Sequence, residues 1–365
     1  MALQCGIIGL ANSGKTTLFN CMSNTRAQSS SAAFSASKSN VGMVHVPDNR
    51  LYELAKLQPT QKIVHTTIEF VDIPGLAKGA SKGAGVGNKF LSDIRNTDAL
   101  IHVLRCFDDD NLPHIDGSVN PVRDMETVDL ELQVRDLESV EKKMLKVEKL
   151  IKIGDKAARK TMEVLELYKQ HLESFRSLRS IEIDEADKYH VADMFLLSSK
   201  PVIYICNVDE GSAFKGNKYS DQVKESFDNQ DDEVLIVAAA VEAEIAELEN
   251  EDDRIAFLND AGLTEPGVNK LIRAANRLLR LNTFFTVGPK EIRAWTISGG
   301  MTAPQAAGVI HSDLERGFIR AEVISYNDFI NLGSEAACRE KGKLSIEGKN
   351  YIVKDGDILN IRFNV

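Results

Sequence analysis

The feature that most constrains this chain is a glycine-rich turn near its start. Residues 4–9 form an apolar run typical of a β-strand, and residues 15–23 have helical character. Between them the letters GLANSGKT, from Gly9 to Thr16, fit the pattern GxxxxGK[ST]. Such a turn lets backbone N–H groups surround a phosphate at a helix N-terminus. The motif therefore predicts a phosphate-binding loop after the first strand of a parallel sheet.

One hydroxyl of this loop and one later acid predict a magnesium site, beside a lysine that neutralises phosphate charge. Lys15 would place positive charge at the β- and γ-phosphates, and the Thr16 hydroxyl would ligate Mg²⁺. The apolar strand 66–73 ends in Asp72-Ile73-Pro74-Gly75, a DxxG motif. Asp72 would hold the Mg²⁺ shell, and the Gly75 amide would sense the γ-phosphate. Mg²⁺ with a nucleoside triphosphate is the expected cofactor and substrate.

The sequence lacks the residue that usually positions the attacking water. In many small GTPases a glutamine follows DxxG, but here Leu76 follows, and leucine forms no hydrogen bond. The glycine-rich segment 76–87 is typical of a switch loop. His114, in the loop after the predicted strand 99–107, is the candidate for positioning water. A surface histidine without a catalytic role is the alternative.

Base recognition is expected after the next strand. There the letters NVDE, from Asn207 to Glu210, replace the NKxD of GTPases. The NKxD aspartate accepts two adjacent donors of guanine, whereas adenine presents one donor beside an acceptor. Glu210 is one methylene longer than aspartate, and Val208 lacks the lysine stem that covers the ring. We therefore expect relaxed or adenine-favouring recognition.

Beyond residue 122 the pattern becomes helical. Apolar residues recur every seven positions and form an a/d seam, and a second helical stretch, 156–178, follows a break at Gly154. The seam residues are Leu130, Leu137, Val140, Met144, Val147 and Ile151. An inserted antiparallel hairpin is predicted, serving either as a packed arm or as a binding surface. Residues 141–180 carry eleven basic and six acidic side chains, which suits a polyanion.

From residue 282 the chain becomes rich in β-structure. Strands are predicted at 283–287, 293–297, 322–325, 350–353 and 358–363, with a helix at 303–314. The expected fold class is α/β, a P-loop NTPase with a mostly parallel sheet, an inserted coiled-coil hairpin and a C-terminal α+β domain. The predicted division is 1–122 and 199–281 for the nucleotide-binding domain, 123–198 for the insertion, and 282–365 for the last domain.

Composition excludes several classes of protein. With 365 residues, 43% hydrophobic and 27% charged, the chain resembles average globular proteins. It has no apolar run near the roughly 18 residues of a membrane span. The five cysteines include no CxxC, so neither a disulfide framework nor a zinc site is indicated. The start shows no export signal. We expect a cytoplasmic monomer without membrane contact.

These motifs together resemble one family along essentially the whole chain, the Obg-like ATPase (YchF) family. The resemblance is carried by GLANSGKTTLFN, DIPGLAKGASKGAGVGNKFL, NVDE, AAAVEAEIAEL, VGPKEIRAWTI, APQAAGVIHSDLERGFIRAEVI and GKNYIVKDGDILNIRFNV. It implies a nucleotide domain interrupted by a coiled coil and a C-terminal β-grasp (TGS) domain. It also implies hydrolysis of ATP in preference to GTP, and binding to the ribosome, especially its large subunit, and to RNA.

The resemblance also assigns site residues. It implies base contacts by Asn207, Val208 and Glu210, and it places His114 at the family's proposed catalytic histidine. The implied phosphate contacts are Asn12, Ser13, Gly14, Lys15, Thr16 and Thr17.

The first switch departs from the family pattern. Where the family normally reads close to NFPFCTIEPN, with a threonine on Mg²⁺, this chain has Ala36 at the threonine position. Ala36 is therefore a switch position and not a metal ligand. Either Ser35 or Ser37 substitutes, or water fills the shell, or turnover is weakened.

The mechanism expected is in-line attack by water on the γ-phosphate of ATP. Lys15, Mg²⁺ and loop amides would neutralise charge, and His114 or the backbone near Gly75 would place the water. An ordinary GTPase is one alternative. The other is a ribosome- or RNA-binding adaptor whose nucleotide acts as a structural switch with little turnover.

Overall fold

The computed structural model describes residues 3–23, 40–74, 86–227 and 233–364. The chain divides into two compact units. Unit 1 comprises residues 1–42 and 69–271, and unit 2 comprises residues 43–68 and 272–365. Among the described residues, no helix combines the length and the apolar character that crossing a bilayer requires.

The strands and helices follow in chain order. The strands are β1 (Gln4–Ile8), β2 (Asn40–His45), β3 (Ile63–Val64), β4 (Thr67–Asp72), β5 (Ala99–Cys106), β6 (Val202–Val208), β7 (Val234–Val237), β8 (Leu281–Val287), β9 (Ile292–Ser298), β10 (Phe318–Ser325), β11 (Ser345–Glu347) and β12 (Asp357–Phe363). The helices are α1 (Lys15–Ser23), α2 (Arg50–Leu57), α3 (Val86–Arg95), α4 (Pro121–Lys152), α5 (Lys156–Glu173), α6 (Glu185–Lys188), α7 (Lys218–Glu225), α8 (Ala239–Glu247), α9 (Glu251–Asp260), α10 (Gly267–Leu278), α11 (Ala303–Ile310), α12 (Ser312–Arg316), α13 (Tyr326–Leu332) and α14 (Glu335–Glu340).

The first sheet has the strand order β2-β4-β1-β5-β6-β7. Strand β1 pairs in parallel with β4 and β5, and β6 pairs in parallel with β5 and β7. All positions of β5 and β6 are buried, as expected for central strands that are covered on both faces. In such a sheet ligands bind beyond the carboxyl ends of the strands. The predicted parallel P-loop fold is confirmed.

The inserted hairpin consists of α4 and α5. The side chain of Asn120 caps α4 by accepting the Arg123 N–H, and the Asp155 side chain caps α5. Gly154, with φ of +91°, allows the turn between the helices. The ion pair between Lys169 and Glu141 joins positions at similar distances on either side of this turn, so the helices run antiparallel.

The predicted seam is correct except at its start. Val140 and Val147 are buried between the hairpin helices, and the later seam residues pack against them. Leu130 is 43% exposed, so its assignment to the seam was wrong. In this first part of α4, Val128 and Leu132 instead pack into the core that covers the sheet. The helix therefore faces the sheet before it faces α5.

The second sheet, in unit 2, has the order β11-β10-β12-β8-β9-β3. Strand β10 pairs antiparallel with β11 and β12, β8 pairs antiparallel with β9, and β12 pairs in parallel with β8. The predicted strand 350–353 was wrong, because Ile352 forms only an isolated bridge with Thr302. The predicted helix 303–314 is two helices separated by His311, whose backbone is extended.

Residues 43–68 join unit 2, although they precede most of unit 1 in sequence. Ile63 in β3 pairs in parallel with Ile292 in β9. Leu51 and Leu54 of α2 are buried in the same cluster as Phe285. The compact units are thus divided differently from the predicted domains, which placed these residues with the phosphate-binding loop.

Candidate functional site

The loop between β1 and α1 needs glycine at two positions. Gly9 has φ of +145° and Gly14 has φ of +96°, values that side-chain-bearing residues rarely adopt. A Cβ on Gly9 would lie 2.4 Å from the carbonyl oxygen of Val103. A Cβ on Gly14 would lie 2.2 Å from Nδ2 of Asn207. Backbone conformation and lack of space therefore select glycine independently at both positions.

Lys15, at the start of α1, is held across the loop. Its Nζ donates a hydrogen bond to the carbonyl oxygen of Leu10 at 2.6 Å, and the residue is only 7% exposed. Burial lowers the pKa of Lys15 to about 8, although the nearby Asp72 carboxylate opposes this shift. A phosphate group would supply the negative charge that the buried ammonium needs.

Thr16 and Asp72 form the candidate Mg²⁺ site. The Thr16 hydroxyl donates to Oδ2 of Asp72 at 3.1 Å. Burial raises the pKa of Asp72, against the opposing effects of Thr16 and Lys15. Oδ1 of Asp72 is buried and has no hydrogen-bond partner among the described residues. An unpartnered carboxylate oxygen beside a hydroxyl is a donor set that suits Mg²⁺.

Asn207, at the end of β6, ties three segments of the site together. Its Nδ2 donates to the carbonyl oxygen of Ser13 at 2.9 Å. Its Oδ1 accepts the backbone N–H of Ala239, also at 2.9 Å. The buried amide therefore fixes the phosphate-binding loop to the ends of β6 and β7.

A cavity of about 590 Å³ opens at these strand ends. Its volume lies within the range of roughly 300–1,000 Å³ that is usual for small-molecule sites. The lining residues are Asn12, Gly14, Lys15, Thr16, Thr17, Phe107, Asp108, Asp109, Leu112, Asn207, Val208, Asp209, Glu210, Ala239 and Ala240. The cavity thus brings together the residues predicted for the phosphates and those predicted for the base, with the exception of Ser13.

Part of the cavity wall was missed by the sequence reasoning. It consists of residues 107–109 with Leu112 after β5, and of Ala239 and Ala240 after β7. A signal was available, because the carboxyl ends of neighbouring parallel strands meet at one edge. Following each predicted strand to its end would have indicated these segments.

Arg105 holds the wall after β5. The residue is buried, and its guanidinium donates to the carbonyl oxygens of Phe107, Asp109 and Leu112 at 3.2, 3.2 and 2.7 Å. A buried cation that satisfies three loop carbonyls fixes the path of the loop. The same loop continues to His114.

His114 does not line the cavity. Its Nε2 lies 2.8 Å from Oδ2 of Asp124, and its Nδ1 accepts the backbone N–H of Asp116 at 3.1 Å. The side chains of His114 and Asp124 are 5% and 4% exposed. The histidine lines a gap beside Ser13 that is too narrow for water. The His114 side chain therefore contacts helix α4 of the hairpin and is not among the residues that line the 590 Å³ cavity.

Three predicted switch residues, Ala36, Gly75 and Leu76, lie outside the described residues. Their predicted roles, including the Gly75 amide contact, stay predictions. Asp72, the remaining switch residue, lies at the carboxyl end of β4.

Comparison with protein families gives two matches. A model described as 50S ribosome-binding GTPase matches residues 4–166. The model YchF-GTPase_C, described as a protein of unknown function (DUF933), matches residues 281–364. The two matches cover the phosphate-binding loop with most of the hairpin, and the sheet of unit 2.

Similar proteins span the whole chain. The protein named Ribosome-binding ATPase YchF from Shigella flexneri is 48% identical over 365 residues, and the one from Bacillus subtilis is 47% identical over 367 residues. In both cases the match covers 100% of each chain. The solved structure of the Schizosaccharomyces pombe YchF GTPase is 33% identical, with a TM-score of 0.87. It covers 99% of this chain, and 97% of its own length is matched.

Proposed function

Because the chain belongs to the YchF family of P-loop nucleoside triphosphatases, we propose that it hydrolyses ATP with Mg²⁺ to ADP and phosphate and uses GTP less well. We propose further that it binds the ribosome, chiefly the large subunit, and RNA. The observation that carries the hydrolytic part is the 590 Å³ cavity, whose lining includes both Lys15 and Thr16 and also Glu210.

The phosphate end supports binding and charge neutralisation. The N–H groups at the start of α1 would surround the β- and γ-phosphates, and Lys15 would exchange its bond to Leu10 for one to a phosphate oxygen. Thr16 and Asp72 would hold Mg²⁺, which supplies Lewis-acid neutralisation of the triphosphate. Pre-placed donors of this kind stabilise charge that develops at the γ-phosphate.

The base end supports a preference for adenine. Glu210 and Val208 line the cavity where a GTPase would place aspartate and lysine. The Asn207 amide donates to the Ser13 carbonyl oxygen and accepts the Ala239 N–H, so it positions the loops, and we assign base selection to its neighbours. Glu210 is exposed and therefore free to adapt to the donor at adenine N6.

Partner binding is supported by the relatives and by the hairpin. The similar proteins carry ribosome binding in their names. In this chain the far end of the hairpin exposes Lys146, Lys149, Lys152 and Lys156 around the turn. Exposed cations of this density neutralise phosphates and give salt-dependent binding to RNA. A ribosomal partner would place the protein in the cytoplasm.

Phosphate release tests the hydrolytic proposal. Steady-state release from ATP and GTP should show a higher kcat/KM for ATP, and Lys15→Ala should reduce turnover of both. Glu210→Ala is the matched variant at the other end of the cavity, and it should change the ATP-to-GTP ratio more than the total turnover. Absence of turnover with either nucleotide, even with ribosomes present, would contradict the proposal.

Co-sedimentation with ribosomes tests the partner. Changing Lys146, Lys149 and Lys152 to glutamate should weaken co-sedimentation and reduce its salt dependence. The control variant changes Lys290, Lys341 and Lys349 of unit 2 to glutamate, which alters the net charge by the same amount. Weakening by the control alone would assign the contact to unit 2 and would contradict a hairpin surface.

The second candidate is an adaptor that uses nucleotide as a structural switch. The observation that favours it is the position of His114, which has both ring nitrogens engaged away from the cavity. Nucleotide binding that alters ribosome affinity without phosphate release would support this candidate.

A further inference from the structure

The contact between His114 and Asp124 joins the loop after β5 to the hairpin. His114 belongs to the loop that forms the cavity wall, whereas Asp124 lies in the first turn of α4. Helix α4 runs from this turn to residue 152, at the far end of the hairpin. One hydrogen bond of 2.8 Å therefore connects the candidate catalytic histidine to a helix whose other end carries the exposed lysines.

The hydrogen bonds define which ring nitrogen carries the proton. A backbone N–H can only donate, so Nδ1 of His114, which receives the Asp116 N–H, is an acceptor. In the neutral ring the proton is then on Nε2, which donates to Oδ2 of Asp124. Neither nitrogen is left to orient a water molecule.

The Asp124 carboxylate is itself held in place by a neighbouring residue of helix α4. Its Oδ1 accepts hydrogen bonds from the guanidinium of Arg123 at 3.0 and 3.3 Å. The carboxylate is buried, and it lies near the positive end of the α4 dipole. The position of the acceptor for His114 is therefore set by the first turn of the hairpin helix.

We infer that Asp124 is a positioning residue that withholds His114 from the nucleotide, and that a partner bound to the hairpin releases it by displacing the first turn of α4. This inference rests on the proposed hydrolysis and on the role of His114 in it. The free protein would turn over slowly because its histidine is engaged by Asp124. A ribosome that moves the helix would raise kcat without a new contact to the nucleotide.

Kinetics of Asp124→Ala test the inference. Without ribosomes, kcat should rise by about ten-fold, the low end of what loss of a hydrogen bond to a charged group gives. KM should change by less than about two-fold, because the cavity lining does not include Asp124. Stimulation by ribosomes should fall by the same factor as the basal rate rises. Asp124→Asn, which keeps the size and one acceptor, should give a smaller rise.

Two controls separate positioning from loss of structure. Asp129→Ala removes an ion pair with Arg179 from the next part of α4 and should leave the basal kcat unchanged. The double variant His114→Ala with Asp124→Ala should lose the gain in kcat. A lower kcat in Asp124→Ala, or a gain that survives the loss of His114, would overturn the inference.

A measurement independent of turnover is the tautomer of His114. In the free full-length protein labelled with ¹⁵N-histidine, NMR should show His114 with its proton on Nε2, and Asp124→Asn should broaden or shift this signal. An Nδ1-protonated ring in the free protein would overturn the inference whatever the kinetics show. Failure of the proposed function is distinct, since it appears as absence of phosphate release from the unmodified protein with ribosomes.

Discussion

Replacing Asn207 by alanine should weaken ATP and GTP binding equally and destabilise unit 1. The amide donates to the Ser13 carbonyl and accepts the Ala239 N–H, both at 2.9 Å and both buried. Alanine can make neither bond, so the loop before α1 loses its tie to the ends of β6 and β7. The side chain acts on the phosphate-binding loop, which is common to both nucleotides.

The size of the effect follows from the two backbone groups left behind. A buried donor or acceptor without a partner costs about 1–3 kcal/mol, so the two together cost about 2–6 kcal/mol. We expect the lower half of this range, because Asn207 lines the cavity and water can reach the exposed backbone groups. The free energy of unfolding should therefore fall by about 2–4 kcal/mol. A loss of this size is a large fraction of the stability of a typical domain.

Urea unfolding followed by circular dichroism would measure the loss of stability. Trp295, the only tryptophan of the chain, lies in β9 of unit 2, so its fluorescence reports on the unit that does not contain Asn207. Titration with fluorescent ATP and GTP analogues would measure binding. Glu210→Ala, at an exposed position of the same cavity, is the matched variant and should alter the ATP-to-GTP ratio without loss of stability.

Two results would refute this reasoning. A loss of ATP affinity in Asn207→Ala with unchanged GTP affinity would mean that the amide reads the base. A change in unfolding free energy below about 0.5 kcal/mol, which is usual for surface substitutions, would mean that the two hydrogen bonds do not support the loop.

Three further outcomes are expected from the site and the hairpin. The Kd for ATP should rise by up to about ten-fold per pH unit above pH 8. The reason is that the pKa of Lys15 is lowered to about 8 and only the protonated lysine attracts phosphate. A flat calorimetric profile of Kd from pH 8 to pH 10 would contradict this. Asp72→Asn should raise the Mg²⁺ concentration needed for half-maximal phosphate release by at least about ten-fold. Stability should not fall, since burial raises the pKa of this carboxyl in the metal-free protein. An unchanged Mg²⁺ titration would argue against the site. Val140→Ala in the hairpin core should lower the free energy of unfolding by about 1–3 kcal/mol. Leu130→Ala, at an exposed position of the same helix, should lower it by less than about 0.5 kcal/mol. Equal losses would contradict the observed packing.

The geometry of the P-loop could be predicted because its determinants are local. The glycines, Lys15 and Thr16 lie within eight consecutive residues whose backbone alone defines the loop. Asp72 could be placed beside them because its strand ends at the same edge of a parallel sheet, and the structure puts it 3.1 Å from the Thr16 hydroxyl. For these residues, pattern and topology together determine proximity.

The parts that could not be predicted depend on packing between distant segments. Leu130 fits the seven-residue repeat as well as Leu137 does, but the sheet, not α5, covers the first part of α4. Residues 350–353 have strand character, yet their pairing is limited to one bridge at Ile352. The inclusion of residues 43–68 in unit 2 rests on the pairing of Ile63 with Ile292, more than two hundred positions away. Periodicity identifies an apolar face, but it does not identify the surface that covers this face.

His114 shows how local and distant determinants combine. The sequence marks it as the side-chain candidate to replace the missing glutamine, with the backbone near Gly75 as the alternative, but its ring contacts depend on a helix that begins seven residues later. In the structure the nitrogens needed to orient water are both engaged by Asp116 and Asp124. The cavity, by contrast, is already formed, with Lys15 and Asn207 held by buried hydrogen bonds. Under the proposed mechanism binding and hydrolysis would be separable: binding would need only the loop and strand ends, whereas hydrolysis would require the histidine loop to leave the hairpin.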